Sequence, residues 1–170
     1  MRTSTELYEL AAQYRGKFIN ELSWMEKFMD TYIAKYFVGD NDVKLADMHL
    51  LFLGDGRISL ENKRQIFHEI ASKYDSEWYN SYIPVFTDPK TIKSPTIAMN
   101  KELVSIIAMR NILAHRIVDT TVEGLENDDV ISFFTYKNTF KKETLSHNDY
   151  SGYIFGIMAI TKYLRERVEK

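Results

Sequence analysis

The sequence predicts an all-α helical bundle with a long first helix and a small β-hairpin before the last helix. Three observations carry that expectation. Apolar residues recur at helical spacing, about 100° per residue, over most of the 170 positions. Ser, Thr and Asn stand at the starts of those stretches, where their side chains can cap backbone N–H groups. Only 130–136 and 139–145 carry a β-branched and aromatic pattern, and the Lys137-Asn138 turn separates them.

Thr3 with Glu6 makes a capping box. The stripe behind it (Leu7, Leu10, Ala11, Tyr14, Phe18, Leu22, Met25, Met29, Tyr32, Ile33, Tyr36) predicts a helix to about residue 37. At 1.5 Å per residue such a helix spans roughly 50 Å. Gly16 inside the stripe admits a kink. Gly39-Asp40-Asn41-Asp42 ends the helix, and a shorter one follows over about 43–52. Ser59 caps a third helix, about 60–74, with Ile66, Phe67, Ile70 and Ala71 inward. Residues 75–95 read as a short helix and then a proline-punctuated loop. There Trp78, Tyr79 and Tyr82 suggest a bundle edge or dimer contact, with base stacking the alternative.

A helix over about 97–118 comes next, followed by an acidic stretch at 119–129, read as a solvated loop. The last helix, about 148–168, buries Tyr153, Ile154, Ile157, Met158, Ile160 and Leu164 on its pattern. No linker or repeat divides the chain, so residues 1–170 read as one domain.

Composition narrows the function classes. The net charge of −2 supplies no global field to recruit nucleic acid, so any such binding needs a local patch. The absence of cysteine excludes disulfides and thiolate zinc sites. No histidine pair has metal-ligand spacing and no Gly-rich phosphate loop occurs, so neither metal nor cofactor is expected. The start lacks a signal-peptide pattern, and no apolar run approaches a membrane span. The expected protein is soluble and cytoplasmic.

The helix at 97–118 carries Arg110-Asn111-Ile112-Leu113-Ala114-His115. Leu103, Ile106, Ile107, Leu113, Ala114 and Ile117 fall on one arc, and Arg110 stands in its middle. A guanidinium stays charged at any ordinary pH and is costly to bury unpaired. It must therefore meet a carboxylate (Glu21 or Glu26 of the first helix, for example), a partner chain or a phosphate. Asn111 and His115, four apart, stack on one flank. An arginine, an amide and an imidazole so spaced can handle a phosphodiester.

This hexapeptide resembles the signature of the HEPN superfamily, in which an Arg, a polar residue and a later His lie on a late helix of a bundle. At residue level the resemblance covers only the motif helix; elsewhere it is architectural. It implies a metal-independent endoribonuclease of toxin–antitoxin or phage-defence systems. Such proteins dimerise so that two motif helices build one composite site. Carried over, Arg110 would grip the scissile phosphate and His115 would act as general acid or base. Asn111 would position the phosphate or the histidine. The 2′-OH would attack the adjacent phosphate and leave a cyclic phosphate. One HEPN subgroup has a modified Tyr two residues after the His. Ile117 stands there in this chain, so that modification is not expected.

Residues 88–118 hold five basic residues (Lys90, Lys93, Lys101, Arg110, Arg116) against two acidic ones, and Lys137, Lys141 and Lys142 of the hairpin extend the patch. Lys101, Arg116, Lys141 and Lys142 are thus candidate RNA contacts. The partners implied are RNA, a second copy of the chain and an antitoxin protein. Two other readings stay open: a non-catalytic dimerisation module of the same fold, or a regulator in such a locus.

Overall fold

The structure, a computed structural model, describes residues 1–85, 98–137 and 139–170. The expected loop before residue 98, with Lys90 and Lys93, and the turn residue Asn138 lie outside the described residues. The helices are α1 (Ser4–Val38), α2 (Asp42–Asp47), α3 (Leu60–Tyr74), α4 (Ser76–Asn80), α5 (Ala98–His115), α6 (Val122–Glu126) and α7 (His147–Val168). Strands β1 (Ile117–Val118), β2 (Val130–Lys137) and β3 (Thr139–Ser146) form one antiparallel sheet in the order β1-β2-β3. The predicted fold class is the observed one.

Helix α1 is the axis. Thr3 Oγ1 accepts from Glu6 N–H while the Glu6 carboxylate accepts from Thr3 N–H, closing the capping box. The helix runs unbroken through Gly16. Gly39, at φ 66°, then turns the chain, and its N–H donates to Lys35 C=O. Helix α7 lies alongside α1 in the same direction. Tyr14 stacks on Tyr150 at 3.8 Å near one end, and Lys35 Nζ donates to Val168 C=O at the other. Helix α5 runs the opposite way, with Arg116 C=O accepting from Arg15 of α1.

The core fills the space between α1, α3, α5 and α7. Phe18, Met25, Met29, Phe67, Met99, Leu103, Ile106 and Leu113 are its most enclosed members near the motif helix. At the α3–α4 end Trp78 stacks between Tyr32 and Tyr163, while Tyr79 and Tyr82 are buried. The aromatic cluster is therefore core, and Tyr79 and Tyr82 have no open face to stack a base.

Several expectations are corrected. The motif helix stops at His115, because β-branched Ile117 and Val118 pair with Phe134 and Phe133 of β2 instead. The expected helix at 43–52 divides into α2 and a π-helical turn, Met48–Leu53, that leaves Leu50 and Leu51 exposed. Met158 and Tyr36, expected inward, are exposed: Met158 lies at the margin of its stripe, and Tyr36 stands in the last turn of α1. The acidic stretch is not wholly solvated. Asp119 is fully buried, its Oδ1 accepts from Thr121 N–H and Oγ1, and its Oδ2 faces Lys142 Nζ at 3.2 Å. Among the described residues no helix is long and apolar enough to cross a membrane.

Helix α7 approaches α5 closely at Gly156. A Cβ added there would sit 2.6 Å from Glu102 Oε1, and Glu102 is itself buried with Oε2 accepting from Tyr82 O–H at 2.6 Å. Alanine would add up to about 1 kcal/mol of helix propensity. The overlap with a buried carboxylate costs more, roughly 1–3 kcal/mol. Gly156→Ala is therefore expected to lower the urea midpoint; a midpoint equal to or above the parent's would show that α7 has room to spare.

Candidate functional site

The α5 helix has two faces. Met99, Leu103, Ile106 and Leu113 pack inward, while Lys101, Val104, Ala108, Asn111 and His115 form an exposed stripe at alternating spacings of three and four. A stripe so spaced keeps to one side of a helix and suits contact with another helix. His115 closes α5 and is exposed. Arg110 and His115 are five apart, so their side chains leave the helix about 140° apart around its axis. The two therefore leave the helix on well-separated sides, Arg110 toward α1 and His115 on the exposed stripe.

Arg110 is partly buried where the inward face of α5 meets α1. Its Nη1 donates to Asn111 Oδ1 at 3.0 Å, and it forms no ion pair among the described residues. Neither carboxylate expected to neutralise it pairs with it, although Glu26 lines the cleft beside it. Glu26 Oε1 is held by Lys63 Nζ at 2.6 Å. Glu21 lines a groove between α1 and α7 with Trp24, Phe28 and Met158. The guanidinium instead lines a cleft of about 290 Å³ with Ile19, Ser23 and Glu26 of α1 and with Gly56, Ile58, Ser59 and Leu60. A partly buried cation beside open space, whose one carboxylate neighbour is engaged by Lys63, is a candidate anion site.

The four peripheral cations divide. Lys101 and Lys141 are exposed. Arg116 Nη1 lies 2.6 Å from Glu143 Oε1. Lys142 Nζ lies 2.9 Å from Glu123 Oε1 and 3.2 Å from Asp119 Oδ2, so the acidic stretch folds back on the hairpin and offsets its charge. Lys101 stands fourteen positions from His115 on the same stripe, about 21 Å along the helix. The structure thus brings Arg110 and Asn111 together, sets His115 on another side of the helix, and leaves Lys101 and Lys141 apart from them. Among the described residues no three His, Cys, Asp or Glu side chains converge as metal ligands would.

A buried charge cluster adjoins the cleft. Lys63 Nζ reaches Asp30 Oδ2 at 2.8 Å as well as Glu26. Burial raises the Asp30 carboxyl from its ordinary 3.8 to about 6, in spite of the bond from Lys63. Burial disfavours the Lys63 charge too, but two carboxylates outweigh it and hold the ammonium above its usual range. The sequence contains the signal for this cluster: Lys63 falls on the inward arc of α3 with Phe67 and Ile70, as Arg110 does on α5. Its partners Glu26 and Asp30 are four apart on α1, hence on one flank.

The chain matches no protein-family model, no curated protein and no solved structure. The resemblance stated above therefore rests on the motif helix and the architecture alone.

The Asp30 carboxyl sets a pH dependence. Between pH 4 and 6 the folded protein binds a proton there that the unfolded chain has released, so this group's contribution to stability falls as pH rises through that window. The rise from 3.8 to about 6 corresponds to roughly 3 kcal/mol. Asp30→Asn is expected to gain on the parent by about that amount between pH 4 and pH 7 in paired urea titrations. A stability difference that stays flat across the window would refute the assignment.

Proposed function

We propose that this protein is a metal-independent endoribonuclease of HEPN type, acting as a homodimer in the cytoplasm and belonging to a toxin–antitoxin or phage-defence system. The observation that carries the reading is the setting of Arg110: a guanidinium on the inward arc of a late helix, lining an open cleft, with Asn111 bound to it and His115 exposed further round the same helix.

The exposed stripe Val104, Ala108, Asn111 and His115 supports pairing of two α5 helices. Ala108 at its centre lets two backbones approach, and a two-fold axis through it brings a second Asn111 and His115 to the same groove, which each Arg110 reaches round the flank of α5 alongside its own Asn111. In that groove one His115 imidazole takes the proton from the ribose 2′-oxygen, which attacks the adjacent phosphorus. The bond to the 5′-oxygen breaks, and the partner's His115, as imidazolium, donates a proton to the leaving oxygen. The products are a 2′,3′-cyclic phosphate and a 5′-hydroxyl. Arg110 donates to the non-bridging oxygens as their charge grows. Asn111, its oxygen held by Arg110, keeps the guanidinium turned toward the groove.

A second reading has its own support. Glu143, Asp119 and Glu123 offset Arg116 and Lys142, which leaves few cations for an RNA backbone. That arrangement suits a non-catalytic dimerisation module, or a regulator that meets an antitoxin or other protein partner.

Cleavage assays separate the two. Purified protein is expected to cleave single-stranded RNA in the presence of chelator and leave cyclic-phosphate ends. Arg110→Ala is expected to lower kcat by roughly 10²–10³, and His115→Ala by roughly 10²–10⁴ with loss of the bell-shaped pH profile. Both positions lie outside the enclosed core, so melting temperatures should stay close to the parent's. Variants that cleave like the parent would remove the ribonuclease reading and favour the module.

A further inference from the structure

The cleft beside Arg110 holds more than a phosphate site needs. A carboxylate next to an anion site is unfavourable unless it has work there, and Glu26 lines the same space as Arg110. Its position is fixed from behind: Lys63, whose side chain is only 6% exposed, holds Oε1 at 2.6 Å. An ionised carboxylate offers about four acceptor sites and donates nothing, and Lys63 engages one of them. The hydroxyls in the cleft are also set. Ser23 Oγ donates to Ile19 C=O and so keeps only lone pairs for a ligand. Ser59 Oγ accepts from Asn62 N–H and keeps its proton. Ile19 and Ile58 supply apolar wall.

We propose that this cleft is a base-specific subsite for guanine, next to the phosphate held by Arg110, with Glu26 as the specificity-determining residue. Of the four RNA bases only guanine presents two adjacent N–H donors, N1–H and the N2 amino group, on its pairing edge. These match an acceptor-only carboxylate. Adenine and cytosine each place a lone pair against it, and uracil has one N–H between two carbonyls. Unstacked bases in single-stranded RNA are read on this edge, with apolar side chains against the ring. The O6 acceptor of guanine matches the proton that Ser59 retains. Lys63 offsets the Glu26 charge, which allows a carboxylate to stand beside a phosphate at all.

The proposal rests on the ribonuclease reading for its phosphate, so the test measures cleavage and nucleotide binding separately. Cleavage is followed on oligouridylate strands carrying one G, inosine, A or C. Binding of 5′-GMP and 5′-AMP to the intact protein is followed by NMR shifts of α1 amides. Cleavage next to G is expected to exceed cleavage next to A at least tenfold in kcat/KM, with inosine, which lacks the N2 amino group, between them. Glu26→Gln is expected to bring G and A within about twofold. Ile58→Trp, which fills the cleft without touching Lys63, should do the same. Cleavage without preference for G, or a preference that both variants keep, overturns the subsite and leaves the nuclease standing. Selective GMP binding that depends on Glu26, without cleavage of any RNA, supports the subsite and overturns the nuclease. Neither cleavage nor GMP binding overturns both.

Discussion

A charge set on the bundle-facing arc of a helix has to be matched where it stands, because the surrounding side chains cannot solvate it. Charges of this kind on the helices, with buried Asp119 in the turn after β1, organise this fold. Lys63 is matched by Glu26 and Asp30, and in meeting them it ties α3 to α1. Glu102 is matched in part by Tyr82, and Gly156 of α7 leaves the space it occupies. Asp119 is matched by Thr121 and Lys142, which folds the acidic stretch onto the hairpin. Arg110 is the exception among the described residues. It meets the amide of Asn111 and a cleft rather than a carboxylate. The functional reading grows from that difference.

The same matching explains why the region around Arg110 is polar on one side and apolar on the other. With Glu26 committed to Lys63, no acid collapses onto the guanidinium and the space beside it stays open. The end of α5 follows a similar logic. His115 is the last helical residue because β-branched Ile117 and Val118, just beyond Arg116, pair with Phe134 and Phe133 of β2. Terminating there leaves the imidazole at a helix end with solvent around it, well round the helix from Arg110.

Much of this was legible in the chain. The capping box of α1, the Ser59 cap of α3, the hairpin and the last helix stand where their patterns put them, since each has a local cause in side chains next to it. Arg110 stood out for the same reason. What depended on distant residues was not legible. Ile117 continues the helical pattern in sequence, yet its partner Phe134 lies on β2 and draws it into a strand. Asp119 reads as one of five acids in a loop until Lys142 arrives from the hairpin. The cleft beside Arg110 joins α1 to the turn before α3, positions more than thirty residues apart whose contact no local pattern announces.

A composite site requires the exposed stripe of α5 to meet its own copy. The chain has no cysteine, so a single Ala108→Cys substitution at the centre of that stripe gives one reporter. Disulfide formation requires Cα atoms within about 7 Å. Apposed helices predict rapid cross-linking under mild oxidant, much faster than for a cysteine at exposed Glu9 on α1. They also predict sedimentation at twice the 20.0 kDa chain mass before oxidation. A monomer in sedimentation, with Ala108→Cys and Glu9→Cys cross-linking equally slowly, would contradict a shared site.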